Sequence, residues 1–454
     1  MNEDVRRQLE RLARQTQAQA RVPGLQVAVH RADRDSWMFH IGQSGTDRPL
    51  DGQTVFRIGS VTKTFVAALV MQCRDDGLLA LDDPLGAHLD VPALGDATVR
   101  RLLSHSSGIQ REPHGDVWAP GGAGPDAQRL IADLSLTEQV LPGGQRYHYS
   151  NLGFSLLGRL VCRLRGGSFL EILSDRVLKP LALGSVSDRP GPAAAVGYMV
   201  DTYSDHAEPE AERDLGATTS GSLWGTASDM AKWAAFLADP RTADPQGRVL
   251  TPSTVDEMRL PQAVTDESRW VVGFGLGLML QPQDNWTTHV GHDGGMPGFI
   301  AGVHGRRGPD APPAFGAASL GSSGTADEIA ALAHDLLRKA VELDPADIPA
   351  WRPGSPAPQR YRSALGRWWS EGQEFVFSWR DDRLQASVVG GPAGAPPAVF
   401  AETNETDVLR SVSGREIGER LRLVRDTNGQ VAQMSWATYP VTRRQQTISG
   451  RRFG

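Results

Sequence analysis

The chain of 454 residues holds two cysteines, Cys73 and Cys162, each inside a helical apolar pattern. Two scattered cysteines make no disulfide framework, and they read as buried thiols of a reducing compartment. No apolar run approaches the 18 or so residues that a membrane-spanning helix needs. The opening stretch Met1-Asn2-Glu3-Asp4-Val5-Arg6-Arg7-Gln8 is polar, with no apolar core or cleavage site. It does not read as a signal peptide, so a cytoplasmic location is expected. The net charge is −6 and no aromatic–basic array is present, which gives no ground for nucleic-acid binding. HExxH and paired-cysteine patterns are missing, as is a dinucleotide fingerprint opening a helix, so neither metal nor cofactor is expected. Internal repeats are absent too.

What is present describes an ordinary globular protein, 40% apolar and 22% charged, long enough for two or three domains. Val5, Leu9 and Leu12 suggest an amphipathic first helix. Residues 25–30 and 37–41 alternate at period two around Ala32-Asp33-Arg34-Asp35, a strand–turn–strand unit. Helical patterns follow at 62–73, 98–108, 152–161 and 229–237, with strand patterns at 271–280, 287–303 and 314–320 and a helix at 327–342. Strands at both ends with helices between predict an α+β unit over 1–343, one sheet flanked by helices. Residues 185–222 are irregular and read as a long lid or insertion. Five prolines in 344–360 mark a linker. Short strand patterns from 361 to 454 predict a small antiparallel sheet or barrel. This segment carries 15 basic and 10 acidic residues from 352 onward, leaving −11 for the first 351.

Chemistry enters at Phe56-Arg57-Ile58-Gly59-Ser60-Val61-Thr62-Lys63. Residues i and i+3 share a helix face, so the Lys63 amine would stand beside the Ser60 hydroxyl at a helix N-terminus. A desolvated lysine can take the serine proton and make it a nucleophile. Alone, however, Ser60 reads more readily as an N-cap and Lys63 as a solvated first-turn residue. About one Ser-x-x-Lys is expected by chance at this length.

Two later motifs change the weight. Tyr149-Ser150-Asn151 lies where a Gly-Gly turn meets a helix; Tyr149 could share the Ser60 proton, or could simply staple the helix start. Gly291-His292-Asp293-Gly294-Gly295-Met296-Pro297-Gly298 interrupts a strand region, and glycine in a strand often marks close backbone approach. Ser-x-x-Lys, Tyr-x-Asn and His-x-Gly in that order resemble the serine β-lactamase and penicillin-binding-protein superfamily. The likeness falls on its class C, D-alanyl-D-alanine carboxypeptidase-like and esterase side. Also carrying it are Leu-Leu-Ser-His-Ser-Ser-Gly-Ile (102–109), Pro-Gly-Gly (142–144) and Trp224-Gly-Thr-Ala-Ser-Asp229. It covers about residues 20–340, and the basic C-terminal sheet resembles the lipocalin-like domain appended to some members.

The resemblance implies a β-lactamase/transpeptidase-like sheet with an all-helical subdomain, and acyl transfer through a serine ester. Ser60 would be the nucleophile, Lys63 its base, Tyr149 the proton relay and Asn151 a substrate-positioning residue. The Ser60 and Gly295 amides would form the oxyanion hole. His292 replaces the lysine of β-lactamases and removes a permanent cation, so esters, amides or thioesters of peptide type are the expected substrates, free or carrier-protein-bound. Trp224, Gly294 and Arg443 (or Arg444) are the expected substrate contacts. A narrower reading is a thioesterase that releases and cyclises a nonribosomal peptide; a different one is a non-catalytic paralogue that binds a peptide or small ligand.

Overall fold

Two units follow from how the chain contacts itself, Met1–Ala346 and Asp347–Gly454. The structure, a computed structural model, describes residues 1–445 apart from 46, 47, 92, 93, 95, 96, 116, 120, 121, 285 and 349. Among the described residues, no helix is long and apolar enough to cross a membrane.

In the first unit, helix α1 (Glu3–Gln19) starts at Asn2, whose side chain accepts from the Val5 amide, and it buries Val5, Leu9 and Ala13. Strands β1 (Gly24–His30) and β2 (Trp37–Gly45) form the expected antiparallel pair. Helices α2 (Thr62–Asp75), α3 (Asn151–Arg165) and α4 (Ala227–Ala238) follow. Then come β3 (Met279–Pro282), β4 (Thr288–Met296), β5 (Phe299–Arg307), β6 (Gly316–Gly321) and α5 (Glu328–Leu343). The main strands are ordered β2-β1-β6-β5-β4-β3, all antiparallel, with two-residue strands completing the edges. The N- and C-terminal parts therefore meet in one sheet at β1–β6.

Strand alternation sorts the core onto two faces. Leu25, Val27, Val29, Ile300 and Ala317 pack with Leu9 of α1 and with Ile329, Leu332 and Leu336 of α5. Ala28, Ala301, Val303 and Ala318 face the other way, into a larger core with α2, α3 and α4. Gly305 lets α4 lie close on that face, because a Cβ there would stand 2.2 Å from the Ala234 carbonyl. Helix α2 is buried on every side from Thr62 to Cys73, as its near-continuous apolar sequence requires. It is tied to α4 by Phe65 stacked on Trp233 at 4.3 Å and by Trp233 Nε1 donating to Thr64 Oγ1 at 2.7 Å.

The second unit is an eight-stranded antiparallel meander, Gly366–Ser370 through Tyr439–Val441. Trp369 and Thr442 exchange both backbone hydrogen bonds, at 2.8 and 2.9 Å, and so bring its first and last strands together. The result is a near-closed, lipocalin-like barrel filled by Trp368, Phe375, Phe377, Phe400, Met434 and Trp436. Three strands escaped the sequence reading: Gly366–Ser370, Ala398–Glu402 and Tyr439–Val441. All are short, and Pro440 sits in the last, where only an edge tolerates it. In the first unit, the strand expected over 271–280 is split into Gly273–Phe274 and β3 by the turn at Gly275–Gly277. The segment 98–108, expected as a helix ending in a polar turn, is helix Val99–Leu103 followed by a turn.

Trp233 joins the catalytic-motif helix to the sheet, so Trp233→Ala is expected to lower unfolding free energy by about 3–5 kcal/mol in urea titrations. A loss under 1 kcal/mol would show that α2 is held elsewhere.

Candidate active site

Ser60 lies in the single 3₁₀ turn Gly59–Val61 that runs into α2. Gly59 takes a φ of +52°, which an L side chain adopts only with strain, and this turn presses against β4. A Cβ on Gly59 would stand 2.9 Å from the Gly295 nitrogen, and one on Gly294 would stand 2.0 Å from the Ile58 carbonyl. Only glycines let the two backbones run side by side, which brings the Ser60 and Gly295 amides together. A Cβ on Gly295 would meet nothing within 4 Å, because that residue faces open cleft.

Lys63 Nζ is 2.9 Å from Ser60 Oγ and donates to the Ser220 carbonyl at 2.7 Å. The Tyr149 ring lies 4.9 Å and the Phe154 ring 5.8 Å from the same nitrogen. Burial holds the amine well below the ordinary lysine range; Glu112 opposes this and Arg111 assists it. With one hydrogen on Ser220, a neutral Nζ has its lone pair for the Ser60 proton. Tyr149 is shifted the other way, raised mainly by burial and partly offset by its hydrogen bond with Ser60. It therefore stays a phenol, a proton donor.

Asn151 opens α3, and its side-chain amide donates to Glu112 at 2.6 Å. Arg111 lies 5.0 Å over the Tyr149 ring and pairs with Glu112 at 3.3 Å. His105 stacks on Tyr149 at 4.1 Å, and its Nδ1 accepts from the Ser150 amide at 3.0 Å. Nδ1 of His292 bonds the Asp293 carbonyl. A carbonyl only accepts, so that nitrogen carries the hydrogen and Nε2 is a lone pair, buried without a partner. Burial, then the nearby Lys63, pushes the His292 pKa down to about 3, so the ring is neutral.

Ser60, Tyr149, Asn151, His292, Gly294 and Gly295 line one cavity of about 1270 Å³. The irregular segment 185–222 supplies part of its wall through Met199, Glu210, Arg213 and Ser220. One expected substrate contact of this unit lies outside that cavity. Trp224 is 3% exposed, packed against Phe299 and under Arg57, and lines a separate cavity of about 220 Å³. In the second unit, the exposed Arg443 stacks on Trp368 at 3.8 Å and donates to the carbonyls of Ser363, Leu365 and Arg367. His105, Arg111, Glu112 and Ser220 were given no role from sequence. The 102–109 string offered a signal for His105, but Ser220 acts through its backbone and offers none.

Among the described residues, Asp293, His304 and His334 bring potential metal ligands within 4.8 Å of one another. Their hydrogen bonds already assign those atoms. Arg306 donates to His289 Nε2 at 3.1 Å, so His289 Nδ1 holds the hydrogen directed at His334 Nδ1, 2.8 Å away. Burial keeps both rings neutral, at about 2 and 3, so the one hydrogen of His334 is on Nε2 and neither of its nitrogens offers a free lone pair. His304 Nε2 donates to Asp293 at 2.6 Å. A ligating histidine usually donates its second N–H outward, which is the reverse of this wiring.

Gly294→Ala is expected to separate the oxyanion donors and lower kcat by about 100-fold or more with little change in KM; steady-state kinetics decide. Lys63 also carries a stability consequence. Below the ordinary lysine pKa the unfolded chain binds a proton there that the folded chain refuses, so the penalty grows as pH falls toward the lowered folded value. Lys63→Met should therefore be inactive yet more stable at pH 7, by about 1 kcal/mol, with the gap closing toward pH 10.5. Thermal melts across pH read this directly.

Residues 9–308 match the family described as Beta-lactamase, and 357–443 match DUF7586, a domain of unknown function. "Penicillin-binding protein 4" of Amycolatopsis lactamdurans is 32% identical over 295 residues, 61% of this chain and 76% of that one. The D-aminopeptidase of Brucella ovis is 27% identical over 294 residues, 61% of this chain and 52% of its own length. A solved structure titled "Crystal structure of SurE" superposes with TM-score 0.62 at 26% identity, covering 97% of this chain and 99% of that one. The D-amino acid amidase of Ochrobactrum anthropi SV3 shares the fold of the first unit, at TM-score 0.62, 22% identity and 75% and 98% coverage. With two thirds of its length matched and its motif residues gathered in one cleft, the chain belongs to the β-lactamase family of penicillin-binding-protein-like serine hydrolases.

Proposed function

We propose that the protein hydrolyses amide or ester bonds of small peptide-like substrates through an acyl-enzyme on Ser60. The observation that carries this is the buried Lys63 amine, held by burial well below the ordinary lysine range, 2.9 Å from Ser60 Oγ. Lys63 takes the hydroxyl proton as Oγ attacks the carbonyl, and the Ser60 and Gly295 amides hold the oxyanion. Tyr149 gives its proton to the leaving amine or alkoxide as the C–N or C–O bond breaks, and regains one from the Lys63 ammonium. Water then attacks the ester by the same route in reverse and restores Ser60. Oriented amides of this kind typically contribute about 3 kcal/mol each.

The names of the relatives support amides and peptides in particular: a D-aminopeptidase, and a D-alanyl-D-alanine-carboxypeptidase/endopeptidase of Escherichia coli. A neutral His292 supports the same choice, since it offers no fixed cation for the carboxylate of a β-lactam. Transfer to an amine in place of water, as in peptide cyclisation, uses the same acyl-enzyme and is separated from hydrolysis by product analysis.

Intact-protein mass spectrometry with p-nitrophenyl esters and amino-acid amides is expected to show an acyl adduct on Ser60, absent in Ser60→Ala. No adduct with any of them would end the proposal. kcat/KM on a neutral ester is expected to fall on the acid side as Lys63 gains its proton. No alkaline fall is expected until above about pH 10, because Tyr149 stays protonated there. An alkaline limb near pH 8 would contradict the assigned phenol.

A further inference from the structure

A second cavity, of about 830 Å³, lies beyond one wall of the catalytic cleft. That wall is the segment 212–222, a single chain thick. Leu215 and Thr218 line both spaces, Ser220 lines the cleft, and Thr219 and Ser222 line the space beyond. Helix α3 lines it too, through Gly158, Arg159 and Cys162. A Cβ on Gly158 would stand 1.9 Å from Thr219 Oγ1, so the glycine lets the wall rest on α3, where Thr219 Oγ1 donates to the Phe154 carbonyl at 3.1 Å.

Arg57 lines this cavity from the strand that leads into the Ser60 turn, and it is 7% exposed. Its Nη2 donates to the Arg213 carbonyl at 2.7 Å, and its Cζ lies 5.4 Å from the centre of the Trp224 ring. Nε is buried with no partner, and no hydrogen bond uses Nη1 among the described residues. Burial lowers the pKa of Arg57. Glu212 and Asp214 act against this through space, yet among the described residues no carboxylate comes within ion-pair distance of it. A guanidinium stays charged, so a buried one with idle N–H groups calls for an anion. The surroundings restrict which one. Arg159 and Arg189 are exposed at the cavity, but so are Asp188, Glu212 and Asp214, and none of these is in an ion pair among the described residues. The three carboxylates repel a phosphate dianion or a polyacid, whereas a single charge can sit on Arg57 itself. Ala127, Phe169, Pro190 and Leu215 add apolar surface, and the volume suits an organic molecule rather than one small ion.

We propose that this cavity is a second ligand site, which takes an organic acid with one carboxylate and an apolar body, the carboxylate resting on the Arg57 guanidinium. The site stands independently of the chemistry at Ser60, but the shared wall couples the two. Arg57 holds one end of the wall at the Arg213 carbonyl, and the Ser220 carbonyl, near the other end, accepts from Lys63 Nζ at 2.7 Å. A carboxylate that draws on the Arg57 hydrogens weakens the first of these bonds and loosens the wall that makes the second. An occupant therefore lowers turnover without entering the cleft.

The test titrates phenylacetate, its neutral amide phenylacetamide and inorganic phosphate into wild type, Ser60→Ala and Arg57→Gln by calorimetry. Wild type and Ser60→Ala should bind one equivalent of phenylacetate with affinities within about twofold of each other, and Arg57→Gln at least about 10-fold more weakly. Phenylacetamide and phosphate should bind wild type at least about 10-fold more weakly than phenylacetate does. On p-nitrophenyl butyrate, saturating phenylacetate should lower kcat by about threefold or more and leave KM unchanged, an effect that Arg57→Gln removes. Competitive inhibition, or binding that Arg57→Gln does not weaken, puts the acid elsewhere and overturns the site. So does a wild type that binds no phenylacetate, or that binds phosphate as tightly. Binding with no effect on kcat overturns the coupling through the wall. If Arg57→Gln melts far below wild type, Ala127→Glu takes its place. It adds a carboxylate to the lining at the first residue of a helix, where the fold accepts one, and should weaken phenylacetate binding at least about fivefold. A failure of p-nitrophenyl butyrate turnover would end the acyl-enzyme reading and leave the calorimetry to decide this site, so the two ideas fail separately.

Discussion

A lysine amine sealed from water 2.9 Å from a serine hydroxyl is the constraint that the first unit is built around. Under the proposed mechanism water would stabilise the ammonium and end its use as a base, so the site must exclude water on every side of Nζ. That demand explains why α2 is apolar all round rather than amphipathic, and why it lies between the sheet and the helical layer. Tyr149 and Phe154 close the site with aromatic faces, which tolerate a transient ammonium without offering a carboxylate that would fix it. Glu112, whose charge acts on that amine, is itself bonded to Asn151 and Arg111.

The same exclusion reaches the histidines. His105 and His292 flank Tyr149 with neutral rings, their basicity reduced first by burial and then by the nearby Lys63. A permanent cation at 292 would push on the Lys63 amine; a neutral ring does not, and it exchanges a charge contact for a hydrogen-bond acceptor. The substitution of histidine for lysine thus alters the electrostatics of the base as well as the substrates the cleft can hold.

Much of this was legible in the chain. The period-two stretches at 25–30 and 37–41, the apolar run of α2 and the order Ser60, Lys63, Tyr149, Asn151, His292 carry the sheet, the helix and the cleft. What was not legible depends on packing that no local pattern encodes. Trp224 sits in a suggestive string, yet its ring points into the Arg57 cavity, since strand Trp224–Gly225 pairs with Phe56–Arg57 and not with the cleft wall. Arg443 is a basic residue of a basic domain, but its guanidinium stacks on Trp368 and bonds three carbonyls of its own unit. Ser220 contributes only a carbonyl, and a carbonyl belongs to every residue. Local spacing identifies which groups can react; long-range packing decides where each one points.

Strand β4 shows how closely the two are joined. An open strand edge is a hazard, because unpaired amides and carbonyls invite another chain. Here β3 pairs only as far as Gly291, and the open stretch 292–296 is glycine-rich and recessed in a cleft, which limits what can add to it. Under the proposed mechanism its amide at 295 stays free for an oxyanion, and residues 292 and 293 line the cavity. Pairing β3 as far as 296 would remove the hazard and the activity together. The break at Gly291 is therefore where the proposed site begins, and the glycines at 59 and 294 let the Ser60 turn reach that edge from the side that β3 leaves open.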